Sequence, residues 1–310
     1  MACLCEVRSN ADLNILVIKL GALGDFVQAT TAFAALRAHH PNTQLTLLTT
    51  APYVDFAKRL GFFDHILIDS RPKWYQWTQI RSLVKSLRQG QFDCVVDLQG
   101  VDRTRLYKRL FPRSTRWIDH PSSKDLLHPQ DRFRDQLQAM GIHNLPTLDL
   151  TFLAEPYPVG SSPYALLIPG ASNAHGGRKK WPEENYAALA QYLLGQRIQP
   201  VIIGGPGESF PVISQQAPGS LNLVGKTSFY QVIGLAQKAL FAIGNDTGPM
   251  LLAASGGCPT LTLYSSVNPA TIGGAKGPKN LVIEEDDLNN LGVKSVIEKL
   301  NGNMITSQAF

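Results

Sequence analysis

Short apolar runs alternate with helical runs along almost the whole chain, and this alternation limits the folds that the chain can adopt. The runs that resemble strands span residues 14–20, 44–50, 65–70, 93–99, 115–120, 164–170, 200–206, 221–226, 240–246, 259–265 and 280–285. The helical runs between them include residues 129–141, 182–196, 228–239, 247–256 and 292–301. Continuous apolar strands separated by helices are typical of a parallel sheet that is covered on both faces. The sequence therefore predicts an α/β protein.

The alternation stops once, in the middle of the chain. Residues 148–163 show little periodicity and contain Pro156, Pro158 and Pro163, which is typical of a linker. The total of 310 residues also corresponds to about two domains of ordinary size. We therefore predict an N-terminal domain of residues 1–155 and a C-terminal domain of residues 156–310. Both should be Rossmann-like αβα domains that face each other across a cleft, with functional residues in the loops that follow the strands.

Positive charge is concentrated in one part of the first half. Residues 71–134 contain 14 lysines and arginines against 6 aspartates and glutamates, a local net charge of +8. Such a stretch favours an anionic partner, although solvated helix faces would explain most of these charges. No recognisable nucleic-acid-binding module accompanies them, so we expect no nucleic-acid partner. Within the stretch, Trp74 and Trp77 are predicted to be packing aromatics, with stacking on a sugar ring as the alternative.

Nothing in the sequence indicates a metal ion or a cofactor. The four cysteines form no CxxC pair and no plausible disulfide framework, which is typical of a reduced compartment. Neither GxGxxG nor GxxxxGK[ST] occurs. We identify no signal peptide, and the apolar runs are too short to span a bilayer. We therefore expect a cytoplasmic protein without a metal or a cofactor. Peripheral contact with the inner membrane, through residues 71–113, remains an alternative.

The loop after the first strand combines glycines with a charged pair. Gly21 and Gly24 permit a tight turn close to a ligand, and Asp25 follows where a helix begins. Asp25 is interpreted either as the helix N-cap or as a catalytic base. Lys19, at the end of the strand, either packs its stem on the sheet or pairs with an anionic ligand beside Asp25.

Three loops of the second half have matching chemistry. At the end of a strand, Thr247 and Gly248 open a helix whose free N–H groups favour an anion such as phosphate. Asp246 precedes them and would suit sugar hydroxyls better than a phosphate. A basic loop contains Lys179, and a glycine-rich loop contains Glu208, which could accept hydrogen bonds from ribose hydroxyls. Each loop alone is better explained as ordinary turn chemistry, whereas four such loops on the same side of two facing sheets are a stronger signal of a ligand site.

Four motifs in this order resemble a known family. They are the strand followed by GxxGD at residues 21–25, the segment 96–100, the K-x-W-P-x-E-x-Y loop at 179–186 and the N-D-T-G-x-M turn at 245–250. Together they resemble the heptosyltransferases of glycosyltransferase family 9, over nearly the whole chain. The resemblance implies the GT-B architecture and no bound catalytic metal. It also implies inverting transfer of a heptose from ADP-heptose to a lipopolysaccharide inner-core acceptor that carries Kdo or heptose.

The resemblance also implies roles for individual residues. Asp25 matches the general base, Lys19 the lysine beside it, and Lys179 the lysine on the phosphate and sugar of the donor. The residues expected to bind the donor are Ser172, Asn173, Lys179, Glu208, Thr227, Asp246, Thr247 and Gly248. The residues expected to bind the acceptor are Lys19, Gly24, Arg71, Lys73, Lys124, His128 and Arg132. His128 and Arg132 repeat an H-x-x-x-R spacing of the family, although His128 could simply open a helix before a proline.

One position departs from the family pattern. The family usually has a histidine five residues after the aspartate of the N-D-T-G turn, where this chain has Leu251. This difference leaves open a transferase that uses another nucleotide sugar or a protein acceptor. A third alternative is a nucleotide-sugar epimerase, or a binding module, with the same architecture.

Overall fold

The protein consists of two compact units, described here from a computed structural model. The structure describes residues 13–119, 128–171, 177–267, 269–277 and 279–305. The first unit ends at Thr147 and the second begins at Leu148. The segment 148–155, which we assigned to the first domain, is bonded to the second unit. The N–H of Leu150 donates to the carbonyl of Ser255, and the N–H of Glu155 donates to that of Tyr230.

The first unit is built on a five-stranded parallel sheet with strand order β3-β2-β1-β4-β5. Its strands are β1 (Asn14–Ile18), β2 (Gln44–Thr49), β3 (His65–Ile68), β4 (Cys94–Asp97) and β5 (Arg116–Ile118). Its helices are α1 (Leu23–His39), α2 (Val54–Leu60), α3 (Trp77–Gln89), α4 (Asp102–Tyr107) and α5 (Pro129–Gln138). The central strands β1 and β4 are almost completely buried, as expected for a sheet covered on both faces.

The second unit contains a six-stranded parallel sheet with strand order β11-β10-β9-β6-β7-β8. Its strands are β6 (Tyr164–Ile168), β7 (Gln199–Ile202), β8 (Leu221–Asn222), β9 (Ala242–Asn245), β10 (Thr260–Ser265) and β11 (Asn280–Glu285). Its helices are α6 (Glu183–Gly195), α7 (Pro211–Gln216), α8 (Phe229–Lys238), α9 (Gly248–Ser255) and α10 (Val293–Leu300). A cluster around Trp181, Tyr186 and Phe241 forms its core. All strands are parallel, so their carboxyl ends meet at one edge of each sheet.

The predicted α/β class and the eleven predicted strand segments agree with the structure, although most strands are a few residues shorter. The sequence interpretation was wrong about Trp74 and Trp77, which are not packing aromatics. Their side chains are 78% and 62% exposed. The core beneath α3 is instead formed by Leu83 and Leu87 of the same helix. The aliphatic stripe of α3 is sufficient to cover the sheet, and the tryptophans lie outside it.

Candidate active site

Lys19 lies in a charged pocket at the carboxyl edge of the first sheet. Its side chain is only 4% exposed, and its Nζ donates to the carbonyl of Leu98 at 3.3 Å. Burial is the largest influence on the pKa of Lys19 and lowers it below the usual lysine value. Asp25 acts against this shift, whereas the Arg132 guanidinium adds to it. An anionic ligand beside Lys19 would therefore stabilise its charged form.

Asp25 is exposed in the first turn of α1, close enough to Lys19 to influence its pKa. Ala22 occupies the N-cap position, so the interpretation of Asp25 as the N-cap was wrong. The helix already begins at Leu23, which places Gly24 and Asp25 inside the first turn. The helix dipole stabilises a negatively charged carboxylate in this position, and the carboxylate is not occupied by a capping hydrogen bond. It stays available to a ligand.

A tyrosine fixes the glycine turn before α1. The ring of Tyr53 stacks on Phe26 with 4.8 Å between the centroids. A Cβ at Gly21 would collide with this ring, and Gly21 has a φ of +114°, which other residues rarely adopt. Burial raises the pKa of Tyr53. The charge of Arg71 lowers this pKa, and the charge of Asp25 raises it further. Tyr53 therefore belongs to the same charged pocket.

Arg71 reaches this pocket from the loop after β3. Its Nη2 donates to the carbonyl of Leu20 at 3.3 Å, and its backbone has a φ of +51°. The carboxylate of Asp69, which is fully buried, accepts the N–H of Arg71 at 2.7 Å. The same carboxylate accepts two bonds from the Arg103 guanidinium, both 2.8 Å, and one from the Tyr107 hydroxyl at 2.6 Å. This network could not be predicted from the sequence, because its members are far apart in the chain.

Helix α5 contributes the remaining residues of this pocket that the structure describes. His128 is the N-cap of α5, and its Nδ1 accepts the N–H of Gln130 at 3.2 Å, so this histidine does open a helix. One turn later, the Nε of Arg132 is buried and has no hydrogen-bond partner among the described residues.

Lys73 is exposed in the loop before α3. Lys124 lies outside the described residues.

In the second unit, the turn at 245–248 presents the start of α9. Thr247 is the N-cap residue, but its side chain makes no capping bond, and its Oγ1 is buried without a partner among the described residues. The first N–H groups of a helix have no acceptor within the helix, so an anion is favoured here. Asp246, one residue earlier, accepts a hydrogen bond from Tyr264. Burial is the main reason that the pKa of Tyr264 is raised, and Asp246 adds to the shift.

Asn245 ties the neighbouring loops to this turn. It is fully buried; its Oδ1 accepts the N–H of Trp181 at 3.0 Å, and its Nδ2 donates to the carbonyl of Pro169 at 2.8 Å. Lys179, two residues before Trp181, is half-buried in the loop held in this way. Asn245 was predicted only as the first residue of the N-D-T-G turn and without a role of its own, although a polar residue that ends an apolar strand is a usable signal. Ser172 and Asn173 lie outside the described residues.

The other two residues predicted to bind the donor follow β7 and β8. The Oε2 of Glu208 accepts the N–H of Gly205 at 2.6 Å, and a Cβ at Gly170 would collide with its carboxylate. Glu208 therefore lies next to the end of β6. Thr227 precedes Ser228, the N-cap of α8, beyond the edge strand β8. The helix that Thr227 precedes, α8, packs against α9, which begins at the 245–248 turn.

The described residues form neither a metal-binding cluster nor a membrane-spanning helix. In residues 13–119, 128–171, 177–267, 269–277 and 279–305, no three His, Cys, Asp or Glu side chains are grouped so that they could hold a metal ion. No helix in these same ranges is long and apolar enough to cross a membrane.

Two Rossmann-like units with polar loops at the carboxyl edges of their sheets define a protein with the GT-B architecture of glycosyltransferases. Residues 109–299 match the profile of glycosyltransferase family 9 (heptosyltransferase), and the chain belongs to this family. The family predicted from the motifs is confirmed.

The chain is similar to characterised heptosyltransferases along most of its length. Lipopolysaccharide core heptosyltransferase OpsX of Haemophilus influenzae is 23% identical over 295 residues, which cover 84% of this chain and 81% of OpsX. The structure of ADP-heptose LPS heptosyltransferase II of E. coli has a TM-score of 0.75 and 19% identity, covering 96% of this chain and 100% of that chain. The E. coli heptosyltransferase WaaC with ADP gives a TM-score of 0.75 at 19% identity, with coverage of 93% and 99%. These structures confirm the predicted GT-B fold.

Proposed function

We propose that this protein transfers a heptose from ADP-heptose, with inversion and without a metal ion, to an anionic lipopolysaccharide inner-core acceptor. The observation that supports this most is the pocket of the first unit. There the buried Lys19, the exposed carboxylate of Asp25 and the Nε of Arg132, which no described residue bonds, lie at the same edge of the sheet. The names of the similar proteins supply the donor and the class of acceptor.

The cations of this pocket suit an acceptor that carries a carboxylate or a phosphate. Burial lowers the pKa of Lys19, and the like charge of the Arg132 guanidinium adds to this cost of keeping Lys19 charged. An anion between them would remove this cost and would also satisfy the buried Nε of Arg132. Kdo carries such a carboxylate. We assign Arg71, Lys73, Lys124 and His128 to the same acceptor, as the family pattern implies.

In the proposed reaction Asp25 is the general base. It takes the proton from an acceptor hydroxyl while that oxygen forms a bond to the anomeric carbon of the heptose. The bond between this carbon and the β-phosphate oxygen breaks, and ADP leaves with the negative charge. A positioned carboxylate base contributes roughly 10²–10⁴ in rate.

The leaving diphosphate is assigned to the second unit. The N–H groups at the start of α9, the helix dipole and Lys179 would stabilise its charge. Asp246 would bind hydroxyls of the donor sugar, and its bond from Tyr264 would fix the orientation of the carboxylate. Glu208 would bind the ribose, and Thr227 would contribute to the donor site from the loop before α8. Ser172 and Asn173 would contact the phosphates.

The buried hydroxyl of Thr247 gives a direct test of the diphosphate site. We expect Thr247→Val to weaken ADP binding about tenfold or more, because a hydrogen bond to a charged phosphate is lost. The free protein should be no less stable, because this hydroxyl bonds to no residue in the part of the chain that the structure describes. Isothermal titration with ADP and thermal unfolding measure the two effects.

Thr49→Val is the matched control. The Oγ1 of Thr49 is also buried without a partner among the described residues, but it lies in the first unit. We expect Thr49→Val to be no less stable than the wild type in thermal unfolding, as for Thr247→Val. Its affinity for ADP should equal that of the wild type. Unchanged ADP affinity in Thr247→Val would contradict the assignment of the phosphate site.

The second candidate function is transfer from a nucleotide sugar other than ADP-heptose, and the observation that favours it is Leu251. This side chain is buried in α9, and its N–H donates to the carbonyl of Thr247, so an apolar group stands where the family usually has an imidazole. Thermal unfolding with ADP-heptose, UDP-sugars and GDP-sugars, each with and without EDTA, separates the donors. We expect ADP-heptose alone to raise Tm, by about 5 °C or more at a hundredfold excess over its Kd, whether EDTA is present or not. A larger rise with another nucleotide sugar, or a loss with EDTA, would refute this part of the proposal.

A further inference from the structure

The first unit exposes three aromatic side chains in one short segment. Trp74, Tyr75 and Trp77 are 78%, 53% and 62% exposed. The rings of Trp74 and Tyr75 meet edge to face with 5.7 Å between their centroids, and the Nζ of Lys73 lies 5.9 Å from the Tyr75 ring. Exposure of large apolar groups costs solvation energy, and a contiguous exposed patch of this kind marks an interaction site.

Basic residues continue this patch along helix α3. Trp77, Arg81, Lys85 and Arg88 follow one another at intervals of four, four and three residues, so they share one face of the helix. All four are exposed, whereas Leu83 and Leu87 of the same helix pack on the core. The basic face of α3 is therefore not needed to cover the sheet.

The whole segment has one sign of charge. Residues 70–92 contain five lysines and arginines and no aspartate or glutamate. Exposed tryptophan and tyrosine beside lysine and arginine are typical of surfaces that bind the headgroup region of a bilayer. Basic residues near the surface add an attraction to anionic lipids. The charge and the aromatic content thus fit the same partner.

The patch is also adjacent to the acceptor pocket. It begins with Arg71, whose guanidinium reaches the carbonyl of Leu20 at the end of β1, next to Lys19. The buried Asp69 fixes the backbone of Arg71 and thereby the direction in which the segment leaves the sheet.

We propose that residues 71–88 form a docking surface for an anionic lipid bilayer, in which Trp74, Tyr75 and Trp77 enter the headgroup layer and Arg81, Lys85 and Arg88 bind acidic headgroups. This proposal deepens the proposed function, because it explains how a lipid-borne acceptor is reached. It rests on that function only for the identity of the membrane, since bilayer binding is measured without any transfer reaction.

Vesicle sedimentation tests the surface directly. We expect the full-length protein to sediment with vesicles of phosphatidylglycerol and phosphatidylethanolamine, to bind pure phosphatidylcholine at least tenfold more weakly, and to lose binding as salt is raised. Arg81→Gln/Lys85→Gln should reduce binding roughly 10- to 30-fold, and Trp74→Ser/Trp77→Ser by at least about tenfold. The matched controls, Lys294→Gln/Lys299→Gln and Phe152→Ser, change exposed residues of the second unit and should bind like the wild type.

Quenching by brominated lipids locates the contact. The chain has four tryptophans; Trp181 is fully buried and Trp117 is half-buried, so quenching should come from Trp74 and Trp77. Trp74→Phe/Trp77→Phe should still bind anionic vesicles within a few-fold of the wild type but lose the quenching. The proposal would be overturned if the folded protein did not bind anionic vesicles. It would also be overturned if these residues bound an oligonucleotide or a protein instead. Bilayer binding by a protein that shows no transferase activity would leave this inference standing and refute only the proposed function.

Discussion

Replacing Asp25 with asparagine should lower turnover by roughly 10² or more and leave the affinity for the donor within a few-fold of the wild type. Asparagine keeps the size and the position of the side chain in the first turn of α1 but cannot accept a proton at neutral pH. Binding of the nucleotide sugar is assigned to the second unit and should not need this carboxylate. Steady-state kinetics with a saturating acceptor, together with calorimetric titration of ADP, measure the two effects.

Asp102→Asn is the matched control for this variant. Asp102 is also an exposed carboxylate in the first turn of a helix of the first unit, where it pairs with Arg105 at 3.2 Å. Its replacement should leave turnover unchanged. Equal turnover of Asp25→Asn and the wild type would end the assignment of Asp25 as the base.

Asp69→Asn should lower the free energy of unfolding of the first unit by about 3 kcal/mol. The change leaves the guanidinium of Arg103 without its anion and weakens the bonds from Tyr107 and the N–H of Arg71. Urea unfolding followed by circular dichroism gives the difference. Asp102→Asn serves again as the control, because loss of an exposed ion pair should cost less than about 1 kcal/mol. Equal stability of the two variants would show that the Asp69 network is not a structural support.

At acid pH the free energy of unfolding of Asp69→Asn should approach that of the wild type. Burial alone raises the pKa of Asp69, but the hydrogen bonds from Arg103, Tyr107 and the N–H of Arg71 outweigh it and hold this pKa below the usual aspartate value. The pKa is lower in the folded than in the unfolded state. The stabilisation is therefore complete above about pH 4 and is lost as the pH falls through the folded-state pKa. A stability difference that stays constant from neutral pH down to pH 2 would contradict this.

Much of the fold could be predicted because the central strands are buried on both faces and form continuous apolar runs. The loops with functional residues followed from the same pattern, since parallel strands place their carboxyl ends at one edge. Helices α2, α4 and α7 were not assigned, because segments of six or seven residues are too short to show a helical period.

The candidate site was less predictable where it depends on contacts between distant residues. Asp69 and Arg103 are 34 residues apart, and Asn245 and Trp181 are 64 residues apart, so neither pair leaves a local signal. The start of α1 at Leu23, which makes Asp25 a first-turn residue rather than the N-cap, depends on how the glycine turn packs against Tyr53. The exposure of Trp77 could not be derived from composition, because it depends on which face of α3 covers the sheet, and Trp74 lies in the loop before this helix.

The most direct test of the central claim is mass spectrometry of a Kdo-bearing lipid acceptor after incubation with this protein and ADP-heptose. We expect the acceptor to gain the mass of one heptosyl residue, with an equal amount of ADP released. Asp25→Asn should yield at most about one hundredth of this product in the same time. An acceptor of unchanged mass, with ADP-heptose either intact, hydrolysed or epimerised, would contradict the account.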